Sequence, residues 1–320
     1  MDGSSTAARG ASQLVAIGEA ARNWDARSSD EQQRQGKLLC EQLEAGNILF
    51  FEKSPFVLSS EDREFLLTQR QVDAGYHKNI AYRPAEDRLT GLDKKMPAAD
   101  AERLRTILRS YSEQSEQLLR QMFAPYAGRW RRDFASFRSV EERGRKMRTR
   151  ARNDLPHTDA FPTRPTNGDR ILRLFTNLNP VQPRVWITSD NFGFLAERFA
   201  RTVGLPTRAG ASPVSRWLKR TARAAGIPVV DRSLYDDFML RFHHFLKENS
   251  EFQQSCRKDR WEFPPGSSWM AYTDMVSHAV LEGQYAMEQT FLVSRAAMVL
   301  PEQSPIGILE RICGYPLSRP

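Results

Sequence analysis

The chain has 320 residues, of which 40% are hydrophobic and 27% are charged, and this composition excludes wholesale disorder. The mean hydropathy is −0.57, and no apolar run approaches the roughly 18 residues of a membrane-spanning helix, so we do not expect an integral membrane protein. Lysine and arginine outnumber the acidic residues by 47 to 39, and the net charge of +8 favours a polyanionic partner: nucleic acid, phospholipid headgroups or an acidic substrate.

The N-terminus and the cysteines indicate the compartment. Residues 1–5 lack the basic start and apolar core of a secretory signal. The three cysteines, Cys40, Cys256 and Cys313, are scattered, and no Cys-x-x-Cys motif occurs. We therefore expect a reducing cytoplasm and no disulfide framework.

The first part of the chain is predicted to be helical. Residues 1–30 are small and polar without an apolar period, and they predict a flexible leader. Between residues 31 and about 130, the predicted elements are a helix at 31–46, a short strand at 47–51, a helix that begins at Ser59 or Ser60, and a long amphipathic helix at 99–124.

The sequence changes character after about residue 130, where short β-type runs are bounded by Pro, Gly, Asn and Asp. The predicted strands lie at 170–178, 184–188, 269–280 and 285–293, and a helix at about 233–248 interrupts them. This order predicts an α+β fold, with helical support at about 31–130 and a β-rich core at about 130–300. Residues 31–320 are expected to form a single domain.

Two of the five histidines stand out by their context. His157 and Asp159 are two positions apart, and on an extended strand such residues point to the same face. His278 lies in a second strand-like run and could supply a third ligand to a shared metal ion. The alternative is a buried histidine with a neighbouring carboxylate partner, and the pattern alone does not exclude it.

Two histidines and one carboxylate form the facial triad of non-haem Fe(II) oxygenases. Three protein ligands leave three coordination positions open, of which a 2-oxo acid fills two and dioxygen the third. Cysteine thiolates are not needed for this chemistry, and none lie near these residues in the sequence.

The sequence after His157 resembles the 2-oxoglutarate/Fe(II) dioxygenases, in particular prolyl hydroxylases. It contains His-x-Asp at 157–159, Asn-Gly-Asp at 167–169, and a strand that closes on Asn-Leu-Asn at 177–179. Three longer runs, at 132–138, 150–166 and 278–285, resemble the Kdo hydroxylase family, whose members hydroxylate carbon 3 of 3-deoxy-D-manno-oct-2-ulosonic acid (Kdo) in the inner core of lipopolysaccharide. The resemblance extends from about residue 47 to 300.

The resemblance implies a double-stranded β-helix (jelly-roll, cupin-like) core and the cofactors Fe(II) and 2-oxoglutarate. It implies that His157, Asp159 and His278 are the metal ligands and the catalytic residues. It also implies that 2-oxoglutarate and O2 are converted to succinate and CO2 while the sugar of Kdo-lipid A is hydroxylated. A Gram-negative bacterium is implied as the source, with the enzyme at the inner face of the inner membrane.

One departure from many 2-oxoglutarate enzymes concerns the distal carboxylate of the cosubstrate. An arginine commonly follows the second histidine by about ten residues, but the corresponding residues 287–290 include no cation. Because a buried carboxylate needs a charged partner, we expect Arg173 to supply it if Asn177 faces the metal, since both residues then share a face of the strand. Arg295 is the second candidate, and Asn177 could add a hydrogen bond. The alternatives are an outward-facing Arg173 and a turn-forming Asn177.

The basic residues near the first ligands are candidates for substrate binding. Ten lysines and arginines against three acidic residues lie between Arg129 and Arg152. Since Kdo carries a carboxylate and lipid A carries phosphates, arginine pairing suits both groups. The proposed contacts are Arg138, Arg145, Arg148, Arg150, Arg152 and Arg164. A solvated run of charges is the alternative for each of them.

The remaining features give weaker indications. The basic and aromatic run at 215–223 could contact an anionic membrane surface, although an ordinary surface helix explains it too. His243 and His244 lie in a run with the apolar spacing of a packed helix and are interpreted as structural. His77 could line the substrate entrance or make a loop contact.

Two other functions remain open. A 2-oxoglutarate dioxygenase that hydroxylates another glycan or a protein side chain would show the same motifs. A non-catalytic nucleic-acid-binding protein would explain the charge, but no aromatic residues for base stacking interrupt the basic run at 145–152.

Overall fold

The computed structural model of the protein describes residues 10–17, 23–69, 79–206 and 230–318. The strands in these ranges are β1 (Leu14–Ala16), β2 (Ile48–Phe51), β3 (Ile80–Arg83), β4 (Arg88–Thr90), β5 (Trp130–Arg138), β6 (Arg170–Asn177), β7 (Arg184–Thr188), β8 (Asp259–Phe263), β9 (Ser268–Tyr272), β10 (His278–Glu282) and β11 (Ala286–Val293). The α-helices there are α1 (Ser29–Glu44), α2 (Ser60–Thr68), α3 (Ala98–Met122), α4 (Phe192–Val203), α5 (Leu234–Glu248), α6 (Ser250–Ser255) and α7 (Pro305–Cys313).

The described strands form two sheets. The larger sheet has eight strands in the order β1-β2-β9-β6-β11-β5-β3-β4, and the smaller sheet has the order β10-β7-β8. All pairs are antiparallel except β1 and β2, which run parallel. The result is a mixed architecture of a large, mostly antiparallel sheet with helices around it.

An aromatic cluster joins the two sheets. Trp269 of β9 stacks on Phe263 of β8, with ring centroids 3.9 Å apart. Trp186 of β7 packs edge-on against Trp269 and lies nearly parallel to the ring of His278, with centroids 5.0 Å apart. Because both tryptophan side chains are almost completely buried, this cluster fixes the position of β10 and of the histidine at its first residue.

The helices begin where the sequence provides capping residues. Ser28 and Glu31 form a capping box at the start of α1, and Ser233 and Asp236 form another at the start of α5. Helix α3 buries one apolar face against the larger sheet, as its sequence periodicity indicates. No helix in the described ranges is long and apolar enough to cross a membrane.

Most of the elements predicted from local patterns are confirmed, with boundaries shifted by one or two residues. The predicted helices at 31–46, 99–124 and 233–248 correspond to α1, α3 and α5, and the run at 269–280 divides into β9 and β10 around a turn. Several elements had no clear sequence signal and were missed. They are β1, β3, β4, β5, β8, α4, α6 and α7.

The predicted flexible leader does not hold for all of residues 1–30. Leu14–Ala16 form β1 and pair with β2, while Ile17 and Trp24 are buried in the main core. The division at residue 130 is also less sharp than predicted, because strands from the first part of the chain form both edges of the larger sheet. His77 and the run at 215–223 lie outside the described residues.

A buried ion pair connects the start of β6 to the turn between β9 and β10. Arg170 donates from Nε to Oδ2 of Asp274 at 2.9 Å and from Nη2 to Oδ1 at 3.2 Å. Both side chains are almost inaccessible to solvent, and the Arg170 guanidinium also lies over the ring of Tyr272. The turn that this pair holds leads directly into His278.

We predict that Asp274→Asn lowers the free energy of unfolding by about 3–5 kcal/mol, because it leaves the buried charge of Arg170 without its counter-charge. Urea denaturation followed by circular dichroism measures this loss. Glu262→Gln is the matched control, since Glu262 pairs with Arg260 on an exposed strand and such pairs contribute little. Equal stability of the Asp274→Asn and control variants would contradict the prediction.

Candidate metal centre

His157 and His278 are brought together by backbone pairing. Each residue donates its N–H to the other's carbonyl, at 3.1 Å for the His157 donor and 2.9 Å for the His278 donor. His278 is the first residue of β10, whereas His157 makes only this isolated bridge and does not belong to a longer strand. Directly opposed residues have neighbouring side chains, and the two imidazole rings lie 5.0 Å apart.

The two rings are held in the same way. Nδ1 of His157 lies 2.7 Å from the carbonyl of Leu155, and Nδ1 of His278 lies 2.9 Å from the carbonyl of Val276. A carbonyl only accepts, so each Nδ1 carries the proton and each Nε2 keeps its lone pair. Burial lowers the pKa of His157 to about 3, so this ring is neutral near pH 7 and can bind a metal ion.

Asp159 supplies a carboxylate beside these rings. Its Oδ1 lies 3.6 Å from Nε2 of His157, and its buried Oδ2 lies 3.2 Å from Nε of Arg173. That Arg173 N–H is not aligned for a hydrogen bond, so Oδ2 has no hydrogen-bond partner among the described residues. Burial alone would raise the pKa of Asp159, but Arg173 and His157 hold it well below its usual value. A buried, ionised and incompletely satisfied oxygen fits a metal ligand.

A third histidine also lies at this site, contrary to the sequence interpretation. His243 is carried by α5, and its Nδ1 lies 2.8 Å from the carbonyl of Thr158, between the two ligand positions of the His-x-Asp motif. Its ring packs edge-on against His157 with centroids 4.9 Å apart. Ligand atoms of His157, Asp159 and His243 all lie within 4.8 Å of one another, whereas the predicted ligand His278 does not belong to such a group among the described residues. His244, by contrast, does not line the pocket.

Helix α5 lies along the segment that carries His157 and Asp159. Hydrogen bonds join the helix to this segment near both ends of the helix. Near its start, Asp236 accepts hydrogen bonds from the backbone of Thr166 at 2.7 Å and Asn167 at 3.1 Å. Near its end, Nζ of Lys247 donates to the carbonyl of Arg150 at 3.2 Å. His243 lies between these contacts, so its position relative to the motif is fixed from both sides.

The candidate ligands line a pocket of about 260 Å3. Larger cavities of about 510 and 560 Å3 lie elsewhere in the described chain, and neither contains His157, Asp159 or His278. We identify the smaller pocket as the functional one because of its chemistry. Its lining residues include five cations: Arg138, Arg150, Arg173, Arg184 and Lys247.

Buried carboxylates partly balance these arginines. Glu288 accepts from Nε of Arg138 at 2.9 Å and lies 3.1 Å from Nη1 of Arg173. Glu142 lies 3.5 Å from Nη2 of Arg184. Nε of Arg184 has no hydrogen-bond partner among the described residues, and burial lowers the pKa of this guanidinium to about 10. The pocket therefore contains a buried cation whose hydrogen-bonding capacity is not fully used.

The predicted cosubstrate contacts separate into one that lines the pocket and two that do not. Arg173 lines the pocket, although Asn177, from which its direction was inferred, does not. Asn177 is directed away and bonds to the backbone of Gln182 and Phe263, which stabilises the turn after β6. Arg295 lies beyond the end of β11, in a 3-10 turn, and pairs with Glu310. Their positions do not fit the predicted roles of Asn177 and Arg295.

The predicted substrate contacts are also divided. Arg138 and Arg150 line the pocket, and Arg150 is largely exposed at its edge. The other four do not line it. Arg145 contacts Glu142, Arg152 pairs with Asp154, Arg164 pairs with Asp133, and Arg148 is exposed.

The lining residues that sequence reasoning missed include Arg184, Trp186, His243 and Lys247. Two of them, His243 and Lys247, are four residues apart on α5, and this spacing put both on one face of a predicted helix. The alternation of β7 likewise put Arg184 and Trp186 on one face. Neither pattern indicated which face would meet the motif at 157–159.

The chain matches the family of 3-deoxy-D-manno-oct-2-ulosonic acid (Kdo) hydroxylases over residues 23–316. It is similar to crystal structures of the Kdo hydroxylase KdoO, a non-haem Fe(II) α-ketoglutarate-dependent dioxygenase. The complex with α-ketoglutarate and Fe(III) is 32% identical, covering 96% of this chain and 97% of that chain, with a TM-score of 0.80. The cobalt(II) complex is 33% identical, covering 95% and 97%, with a TM-score of 0.82.

The mixed architecture described above matches these KdoO structures. A search of curated protein sequences found no match. The agreement over nearly the whole of both chains, together with the family match, identifies the relationship: this protein belongs to the Kdo hydroxylase family.

Proposed function

We propose that this protein hydroxylates carbon 3 of Kdo in Kdo-lipid A, with Fe(II), 2-oxoglutarate and O2. The observation that carries the proposal is the buried meeting of His157, His278 and Asp159 in a pocket lined by cations, in a member of the Kdo hydroxylase family. The related KdoO has been crystallised with α-ketoglutarate and with succinate.

In this proposal, His157 and His278 bind the metal through Nε2, and Asp159 binds through its carboxylate. The carbonyls of Leu155 and Val276 keep each Nδ1 protonated, so both rings present a lone pair to the metal. Bound Fe(II), with 2-oxoglutarate and O2, supplies the oxidising power and yields succinate and CO2. The protein orients the substrate and excludes water from the buried ligands.

We propose that Arg184 shares with Arg173 the binding of the 2-oxoglutarate carboxylates. Nε of Arg184 and Nε1 of Trp186 are buried donors without hydrogen-bond partners among the described residues, and both side chains line the pocket. A carboxylate accepts from both kinds of donor, and hydrogen bonds to ionised groups are the stronger ones. These contacts replace the cation that the residues after His278 do not provide.

Two further lining cations suit the acidic sugar. Arg150 is largely exposed and pairs with Glu248, whereas Lys247 is buried and donates to the carbonyl of Arg150. We propose that they bind the Kdo carboxylate or a neighbouring phosphate. Arg145, Arg148, Arg152 and Arg164 remain candidates for outer contacts with lipid A, although Arg145, Arg152 and Arg164 would have to exchange their present acidic partners.

We also propose that strands β6 to β11 form a double-stranded β-helix. In support, consecutive strands change sheets repeatedly: β6, β9 and β11 lie in the larger sheet, and β7, β8 and β10 in the smaller one. The net charge of +8 supports peripheral contact with an anionic membrane surface at the cytoplasmic face, where a lipid-linked sugar would be reached.

We predict that anaerobic addition of Fe(II) and 2-oxoglutarate produces the weak visible charge-transfer band of a chelated 2-oxo acid. His157→Ala and His278→Ala should abolish the band because each removes a nitrogen ligand. His244→Ala is the control, since this neighbouring histidine does not line the pocket and should leave the band unchanged. Metal-loaded protein without a band would rule out the proposed site.

We predict that Kdo-lipid A gains the mass of one oxygen atom in cells that express this protein and not in cells that express His157→Ala. Mass spectrometry of extracted lipid measures the gain, and fragmentation assigns it to the sugar. If 2-oxoglutarate turns over while Kdo-lipid A stays unmodified, a different glycan or a protein side chain is the substrate.

We predict that Arg184→Met raises the KM for 2-oxoglutarate roughly 10- to 150-fold, because a hydrogen bond to a charged group contributes about 1.5–3 kcal/mol. Steady-state succinate formation measures KM, and circular dichroism verifies folding. Arg260→Met on the exposed strand β8 is the control. An unchanged KM in folded Arg184→Met protein would exclude this role.

A further inference from the structure

His243 offers a nitrogen that the proposed set of three ligands does not use. Its Nδ1 lies 2.8 Å from the carbonyl of Thr158, which can only accept, so the proton is on Nδ1. Nε2 therefore carries a lone pair and no proton. This nitrogen can accept a hydrogen bond or bind a metal ion, but it cannot donate.

Because Nε2 of His243 cannot donate a hydrogen bond, 2-oxoglutarate is excluded as its partner. The carboxylates of 2-oxoglutarate are acceptors only, so they cannot form a hydrogen bond with Nε2 of His243. Its possible partners are a metal ion and an O–H or N–H donor. One ring nitrogen of His243 lies within 4.8 Å of ligand atoms of both His157 and Asp159, so the shared neighbour that fits best is a metal ion. Two donors on one metal, each at about 2.0–2.2 Å, are at most about 4.4 Å apart, and Nε2 is the nitrogen of His243 that is free to take such a position.

The surroundings of His243 indicate a placed ligand and not an accidental neighbour. The carbonyl that orients its ring belongs to Thr158, the residue between His157 and Asp159. Metal-binding histidines commonly donate their other ring N–H to a backbone carbonyl in this way. His157 and His278 are held by the same kind of contact, so all three rings present Nε2.

We propose that His243 is a fourth protein ligand to the metal when 2-oxoglutarate is absent, and that it leaves the metal when the cosubstrate chelates. This inference rests on the proposed function. Three protein ligands leave three positions, and the 2-oxo acid and O2 together need all of them. A fourth nitrogen is therefore compatible with the cosubstrate-free protein and incompatible with the complex that reacts.

The proposal has a direct consequence for metal retention. An additional nitrogen ligand should hold the metal more tightly before 2-oxoglutarate binds than a set of three would. Once the cosubstrate is bound, His243 should contribute little to the metal affinity. The effect of removing His243 should thus depend on whether 2-oxoglutarate is present.

Cobalt(II) is a suitable probe, since a KdoO crystal structure contains it. The experiment measures the Kd of cobalt(II) for wild-type protein, His243→Leu and His244→Leu, each without and with saturating 2-oxoglutarate, together with the visible d–d spectrum. We expect His243→Leu to raise Kd at least tenfold without 2-oxoglutarate and less than threefold with it. Its spectrum should differ from that of wild type only in the cosubstrate-free state. His244→Leu should match wild type throughout.

Two outcomes would overturn the proposal. If the cobalt(II) Kd and the spectrum of His243→Leu match wild type both without and with 2-oxoglutarate, His243 only packs against His157. If the cobalt(II) affinity of this variant falls strongly in both states, His243 is a permanent ligand. Circular dichroism and thermal unfolding of the metal-free variants verify folding, and His243→Gln, which keeps an acceptor of similar reach, provides a second variant with a smaller expected loss. If wild-type protein itself binds no cobalt(II), the proposed function fails instead.

Discussion

The backbone pairing of His157 with His278 is the contact on which the candidate site depends. It is an isolated bridge, and two further backbone hydrogen bonds flank it, from Val280 to the carbonyl of Asn153 and from Asp159 to the carbonyl of Thr273, each at 2.8 Å. Side-chain interactions add to this support. The stacked ring of Trp186 supports His278 from within the core, and the buried pair of Arg170 and Asp274 fixes the turn before it. The packing of the aromatic cluster thereby fixes the distance between the imidazole rings of His157 and His278.

The pocket beside this contact contains several arginines, which favour the binding of anions. Acidic residues offset part of their charge, so the buried cations do not unfold the protein. Isolated buried guanidinium groups would be costly, and Glu288 and Glu142 each neutralise part of the arginine cluster. Arg184 keeps an unused donor even so. A dianionic cosubstrate would complete this network, which explains why a pocket beside three neutral histidines tolerates so many cations.

Local sequence patterns were sufficient for some of these features and not for others. The His-x-Asp motif and the remote His278 were found from residue spacing and from a family resemblance in nearby residues, whereas the face of Arg173 was inferred from an Asn177 that points elsewhere. The roles of His243 and Lys247 depend on how α5 packs against a segment far away in the sequence, and a single sequence does not contain that contact. Asn177 and Arg295 do not line the pocket for a related reason: their partners, beside the turn after β6 and in α7, are set by tertiary packing.

Helix α5 provides a ligand that can leave the metal, which the sheets alone would not provide. A ligand at the start of a strand is rigid, because the backbone pairing that places it also holds the sheet together. A ligand in the middle of a helix can withdraw by rotation of its side chain alone, without breaking a ladder. His278 belongs to the first kind, His157 is tied to it by the backbone bridge, and His243 belongs to the second kind. A metal centre with both kinds of donor can bind its metal firmly and still open a position when the cosubstrate arrives.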